Sequence, residues 1–181
     1  MILGLTTATY TLLHVLISLA GIGSGLVVMY GLLTSKLLER WTTVFFVTTA
    51  ATSLTGFAFP FKAVTPGIVI GVLSMIVLAI AVAARYGLHM EGAARWIYIV
   101  TASIALYFNV FVFVVQSFEK VSVLHALAPT QKDPPFTVAQ LIVLAIFIAV
   151  TTMAVKRFHV GAEVPGASTT AVSQPSQKRV A

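Results

Sequence analysis

Residues 96–118 read WIYIVTASIALYFNVFVFVVQSF, an apolar run interrupted by Asn109 and Gln116. At about 1.5 Å per residue a helix of this length crosses the roughly 30 Å hydrocarbon core of a bilayer. Asn109 and Gln116 are two helical turns apart and share a face, which continues backwards through Ala105, Ala102 and Tyr98. The opposite face, with Val110, Phe111, Val114 and Val115, carries nothing that lipid would reject. An amide in hydrocarbon costs several kcal/mol, on the order of the full desolvation penalty, unless it is hydrogen-bonded. The polar stripe therefore turns toward other helices or a wet cavity, and one helix implies a bundle.

Composition sets the class. Of the 181 residues, 59% are hydrophobic and 9% charged, whereas soluble domains carry about 25% charged residues. The chain reads as a polytopic membrane protein. Its net charge of +6 resides in short connectors and the C-terminal segment, the pattern of membrane orientation and not of nucleic-acid binding. Cysteine is absent, which excludes disulfides, thiol redox chemistry and thiolate metal sites.

Four further apolar runs complete a predicted all-α bundle of five transmembrane helices within residues 1–159, with spans at 7–33, 41–59, 67–86, 96–118 and 136–155. In the first, Ser18-Leu19-Ala20 imitates a signal-peptidase site, but no Lys or Arg precedes the run and it continues to Leu33, so it is read as a retained span. His14, Ser18, Gly21 and Gly25 line one face, and Gly21 with Gly25 forms a GxxxG pair that lets another helix pack closely. The second span is rich in hydroxyls: Thr42, Thr43, Thr48, Thr49, Thr52, Ser53 and Thr55. These either bond to the backbone a turn earlier or line a cavity. Pro60 ends it among interfacial aromatics. The third places Gly67, Gly71 and Ser74 on one face and Arg85 in its last turn, where the side chain is expected to snorkel toward headgroups. The fifth carries Gln140 near its start and a small face of Ala145, Ala149 and Thr152.

Residues 119–135 form the long connector. Val121, Val123 or Leu124, and Leu127 predict a short amphipathic piece on the membrane surface, and Pro129, Pro134 and Pro135 exclude one continuous helix. Residues 160–181 are too polar to bury a core and are expected to be a disordered cytoplasmic tail. Glu39-Arg40-Trp41 and Glu91-Gly92-Ala93-Ala94-Arg95-Trp96 open the second and fourth spans alike, a weak sign of an internal repeat.

With five spans, Lys36, Arg40, Arg85, Arg95, Lys156, Arg157, Lys178 and Arg179 share one side, and Lys62, Lys120 and Lys132 the other. The positive-inside rule then puts the N-terminus outside and the C-terminus in the cytoplasm. His14, Thr52, Thr55, Asn109, Gln116 and Gln140 fall in the outer half of their spans. His14, Thr52, Asn109, Gln116 and Gln140 are the candidate ligand contacts, and His125 in the connector is a candidate cap over them.

All acidic residues (Glu39, Glu91, Glu119, Asp133 and Glu163) lie in connectors or the tail. Ion-coupled transporters and proton relays keep a carboxylate at membrane depth, so that class is disfavoured, as is paired-carboxylate catalysis. No catalytic residue, metal or cofactor is assigned, and the pattern points away from an enzyme. The alternative is a haem held by His14 and His125, although four-helix haem proteins draw their ligands from within facing spans.

The segments Leu54-Thr55-Gly56-Phe57-Ala58-Phe59-Pro60-Phe61, Ala105-Leu106-Tyr107-Phe108-Asn109-Val110-Phe111-Val112 and Leu124-His125-Ala126-Leu127-Ala128-Pro129-Thr130-Gln131 resemble small multi-spanning bacterial inner-membrane proteins of unassigned role. The resemblance covers nearly all of the chain except the tail. It implies an inner-membrane location and no particular activity.

Two functions are expected from these features. The first is binding or passing a small amphiphile, of lipid or quinone type, in an outer-half polar cavity. The second is an accessory or scaffold subunit, whose GxxxG face and outer connector hold a homodimer or a larger membrane complex together. A haem-bearing electron carrier stands third.

Overall fold

Thr6 starts the first helix: its hydroxyl accepts the Thr9 N–H at 3.2 Å, and an apolar, proline-free run carries α1 over Thr7–Leu33. α2 spans Glu39–Phe57 and α3 Pro66–Val82, and α3 widens into a π-helical turn at Ala83–Gly87. α4 covers Ala93–Lys120, α5 is a short surface helix at Ser122–Leu127, and α6 covers Pro134–Arg157. Pro134 and Pro135 open α6 because the first turn needs no backbone N–H, so the residues that break the connector also begin the next helix. The computed structural model describes residues 4–59 and 66–159; the predicted break at Pro60 and the tail at 160–181 lie outside the described residues.

Four segments are long and apolar enough to cross a membrane: Thr7–Leu33, Gly67–Gly87, Ala93–Lys120 and Pro134–Arg157. α2, with 19 residues, is equally part of the bundle but owes its lower hydropathy to its hydroxyls. Those hydroxyls largely satisfy themselves. Thr43, Thr48 and Thr55 donate to the carbonyls of Glu39, Val44 and Ala51 at 2.6–3.1 Å.

Contacts fix the topology. Tyr10 meets Thr55 and Gly25 meets Phe45, so α1 and α2 are antiparallel. Gly25 also meets Leu106 and Met29 meets Ser103, which makes α4 antiparallel to α1. α4 is central and touches α1, α2, α3 and α6. One end of the bundle gathers Thr7, Phe57, Pro66, α5 and Pro134 (the α5 end); the other gathers Leu33, Glu39, the π turn, Ala93 and Arg157 (the π-turn end). The apolar core, including Leu32, Phe45, Phe46, Leu78, Ile99 and Phe158, concentrates toward the π-turn end. Loops are tied down there: Ser35 donates to the Arg157 carbonyl at 2.8 Å, and Arg95 to the Phe158 carbonyl at 2.6 Å.

The predicted stripe on α4 is the buried one as far as Asn109: Tyr98, Ala102 and Ala105 are almost completely covered. Its opposite face is not left wholly to lipid. Tyr107 packs edge-on against Phe147, and the Phe111 carbonyl accepts from Gln140, because α6 lies along that side.

Arg85 departs from expectation. It does not snorkel; its side chain is only 2% exposed. The π turn rotates it inward, where it pairs with Glu39 and lies over the rings of Tyr86 and Tyr98.

Candidate functional site

Two places assemble the predicted polar residues. The first is the α1–α2 seam. Near the α5 end, Tyr10 donates to the Thr55 carbonyl at 2.8 Å, occupying a carbonyl in the last turn of α2. His14 Nδ1 lies 2.8 Å from Thr55 Oγ1. The Thr55 hydroxyl proton is already directed to the Ala51 carbonyl at 2.6 Å, so the imidazole is the donor and its Nε2 is left as the acceptor. Phe59 stacks edge-on over both Tyr10 and His14 and closes this end of the seam.

Two turns further along α1, Gly21 admits α2 and α4 together: a Cβ there would lie 3.3 Å from Thr48 Oγ1 and 3.5 Å from Asn109 Nδ2. Asn109 donates to the Thr49 hydroxyl at 3.0 Å, tying α4 to α2 in the bundle interior. Thr52 lies on α2 between the Thr55 and Thr49 levels. Its buried Oγ1 has no hydrogen-bond partner among the described residues. His14, Thr52 and Asn109 thus share one seam, each from a different helix or turn. A double-mutant cycle of Asn109→Ala and Thr49→Val should give a coupling of about 0.6 kcal/mol, the average for interhelical hydrogen bonds in a membrane protein, and no more than about 1.7 kcal/mol. Additivity in melting experiments would mean that the bond does not form.

The other two candidates lie elsewhere. Gln116 shares the Asn109 face, but it is exposed and donates to Glu119 at 3.4 Å. Gln140 is buried on α6: its Nε2 donates to the Phe111 carbonyl at 3.2 Å, while its Oε1 has no partner among the described residues.

These two flank the second place, a pocket of about 220 Å³ at the α5 end. Phe118, Phe136, Ala128 and Pro129 supply its apolar wall; Glu119, His125, Thr130 and Gln131 supply its polar rim. Phe118 and Phe136 meet edge-on with centroids 5.5 Å apart, joining α4 to α6. Gln116 and Gln131 grip the two oxygens of Glu119 at 3.4 and 3.0 Å, which fixes that wall. Asp133 holds the loop by accepting from the Thr130 N–H at 2.7 Å. Gln140 lies one turn beyond Phe136 on the same face of α6 and is not among the residues that line the pocket.

No family model, curated protein or solved structure matches this chain.

His14 and His125, the pair weighed for a haem, lie on different seams: His14 against Thr55 and Phe59, and His125 at the rim formed by α4, α5 and α6. The GxxxG pair is spent inside the bundle. A Cβ on Gly25 would meet Leu106 Cδ1 at 2.5 Å and Phe45 Cδ2 at 2.9 Å. Sequence reasoning overlooked two groupings. The pocket rim was hidden because its members belong to a loop whose fold only the Asp133 and Glu119 bonds define. The Arg85–Glu39–Tyr98 cluster was hidden because a terminal arginine normally reaches for water.

Proposed function

We propose that this is an integral membrane protein with five crossings, its N-terminus outside and its C-terminus in the cytoplasm, that binds or passes a small amphiphile at its outer, α5 end. The fifth crossing is α2. Its 19 residues give a length of about 28 Å, Thr42, Thr43, Thr48 and Thr55 bond to their own backbone, and it packs against α1 and α3, both apolar. The distribution of Lys and Arg supports the orientation. A C-terminal reporter active only in the cytoplasm should work, and activity of a periplasm-only reporter at that end would reverse the topology.

The α5-end pocket carries the amphiphile reading. An apolar wall from α4 and α6 beneath a rim of Glu119, His125, Thr130 and Gln131 suits a molecule with a greasy body and a polar end. At about 220 Å³ the pocket takes a head and its first few carbons; the rest of the chain would follow the exposed apolar flank of α6 past Leu141 and Ile142. His125 becomes a direct contact on this reading, Gln116 supports Glu119, and Gln140 ties α6 to α4 through the Phe111 carbonyl. His14, Thr52 and Asn109 would serve the same site by holding α1, α2 and α4 in register. The scaffold alternative loses its leading feature, because Gly21 and Gly25 are already covered by helices of the same chain.

Native mass spectrometry from gentle detergent should find a retained lipid or quinone-type molecule. Ala128→Trp, which fills the pocket from a buried wall position, should abolish retention while the helical content persists. Equal retention by the filled variant would move the ligand out of this pocket.

A further inference from the structure

We propose that Arg85 is the centre of a second site, at the π-turn end, that takes the phosphate of an anionic phospholipid headgroup, with Glu39 as the carboxylate that the phosphate displaces. Arg85 is a buried cation whose one charged partner among the described residues is Glu39. Nη1 points at Met90 Sδ, 3.9 Å away, a weak acceptor. Nε and Nη2 form one edge of the guanidinium. Neither makes a well-aligned hydrogen bond among the described residues, although Nη2 is 2.7 Å from Glu39 Oε1. The Tyr98 hydroxyl, on a fully buried side chain, makes no well-aligned hydrogen bond among the described residues.

The Nε–Nη2 edge is the fork that matches two oxygens of a phosphate. Glu39 engages it through a single oxygen. Its side chain is 64% exposed while that of Arg85 is 2% exposed, so the carboxylate is the covering group and the cation is what it covers. An outward rotation of Glu39 would open the edge without moving a helix. The surroundings favour an anion from the membrane. Lys36, Arg40 and Arg157 are exposed at this same end. Trp41 and Trp96, each 48% exposed, stand where indoles mark the headgroup layer. Anionic headgroups attract clustered basic residues at this depth. Assignment of this end to the cytoplasmic leaflet rests on the orientation proposed above; the site itself does not.

The test follows melting of the full chain in neutral detergent, by tryptophan fluorescence, during titration with dioleoylphosphatidylglycerol, dioleoylphosphatidylcholine or inorganic phosphate. Phosphatidylglycerol should stabilise the native chain and phosphatidylcholine should not. Glu39→Gln should lower the melting temperature without lipid, yet tighten the apparent phosphatidylglycerol affinity by about fivefold, since a partly exposed competing pair is removed. Arg85→Lys, which keeps the charge and loses the fork, should weaken that affinity. A stabilising ion pair with no ligand role predicts the opposite for Glu39→Gln: lower stability that lipid does not restore. An unchanged or weaker lipid affinity in Glu39→Gln overturns the proposal, and saturation by inorganic phosphate alone overturns the lipid assignment in favour of a free anion. Native mass spectrometry of the same samples counts retained phosphatidylglycerol. That count separates failure here from failure of the α5-end pocket, which the Ala128→Trp variant reads.

Discussion

Gly25→Val should lower the melting temperature of the detergent-solubilised protein by about 5–10 °C, whereas Gly23→Val should leave it unchanged or slightly higher. The two glycines lie on the same helix, half a turn apart. A Cβ at Gly25 would stand 2.5 Å from Leu106 and 2.9 Å from the Phe45 ring, and both neighbours are only 1% exposed, so neither has room to retreat. Forcing extra carbons into such a contact costs about 1–3 kcal/mol, and each kcal/mol moves the melting temperature of a chain this size by about 2–4 °C. A Cβ at Gly23 would meet nothing among the described residues within 4 Å, and replacing a helix-interior glycine by valine recovers a few tenths of a kcal/mol of propensity. Equal melting temperatures for the two variants would mean that α1, α2 and α4 do not meet at Gly25.

The second large effect is expected at Tyr98. Its side chain is fully buried, its ring stands edge-on to Phe46 at 6.4 Å, and the Arg85 guanidinium lies 5.1 Å from its centroid. Tyr98→Ala removes the ring from the core and should cost about 3–5 kcal/mol, while leaving Arg85 without its aromatic partner. Tyr98→Phe keeps the ring and the cation–π contact, and should cost about 1 kcal/mol or less because the hydroxyl makes no well-aligned bond. Unfolding in a graded anionic detergent, followed by circular dichroism, checks both. An alanine variant as stable as the phenylalanine one would remove Tyr98 from the core.

Much of this arrangement is readable before any coordinate. The apolar runs at 7–33, 96–118 and 136–155 can only be long helices. The stripe of Tyr98, Ala102, Ala105 and Asn109 points inward because small and polar side chains gain nothing from lipid. Of the two readings of the α2 hydroxyls, backbone bonding holds for Thr42, Thr43, Thr48 and Thr55, since that bond depends only on helical geometry, whereas Thr49 meets Asn109 and the Thr52 hydroxyl has no partner among the described residues. Gln116 illustrates where periodicity stops being informative. It shares a face with Asn109, but Asn109 meets Thr49 in the interior, whereas Gln116, two turns further on, is exposed and turned toward Glu119.

Helix length, amphipathic direction and the identity of the polar groups are local properties, and the order of residues determined them. Partnership is not local. Whether Thr49 meets Asn109, whether Glu39 reaches Arg85, and whether Phe118, His125 and Gln131 enclose one volume depend on how helices far apart in the chain are rotated and offset against each other. The π turn at Ala83–Gly87 makes the point most sharply: one widened turn rotates a cation from the lipid surface into the bundle, and only packing against Tyr98 and Glu39 makes that rotation favourable.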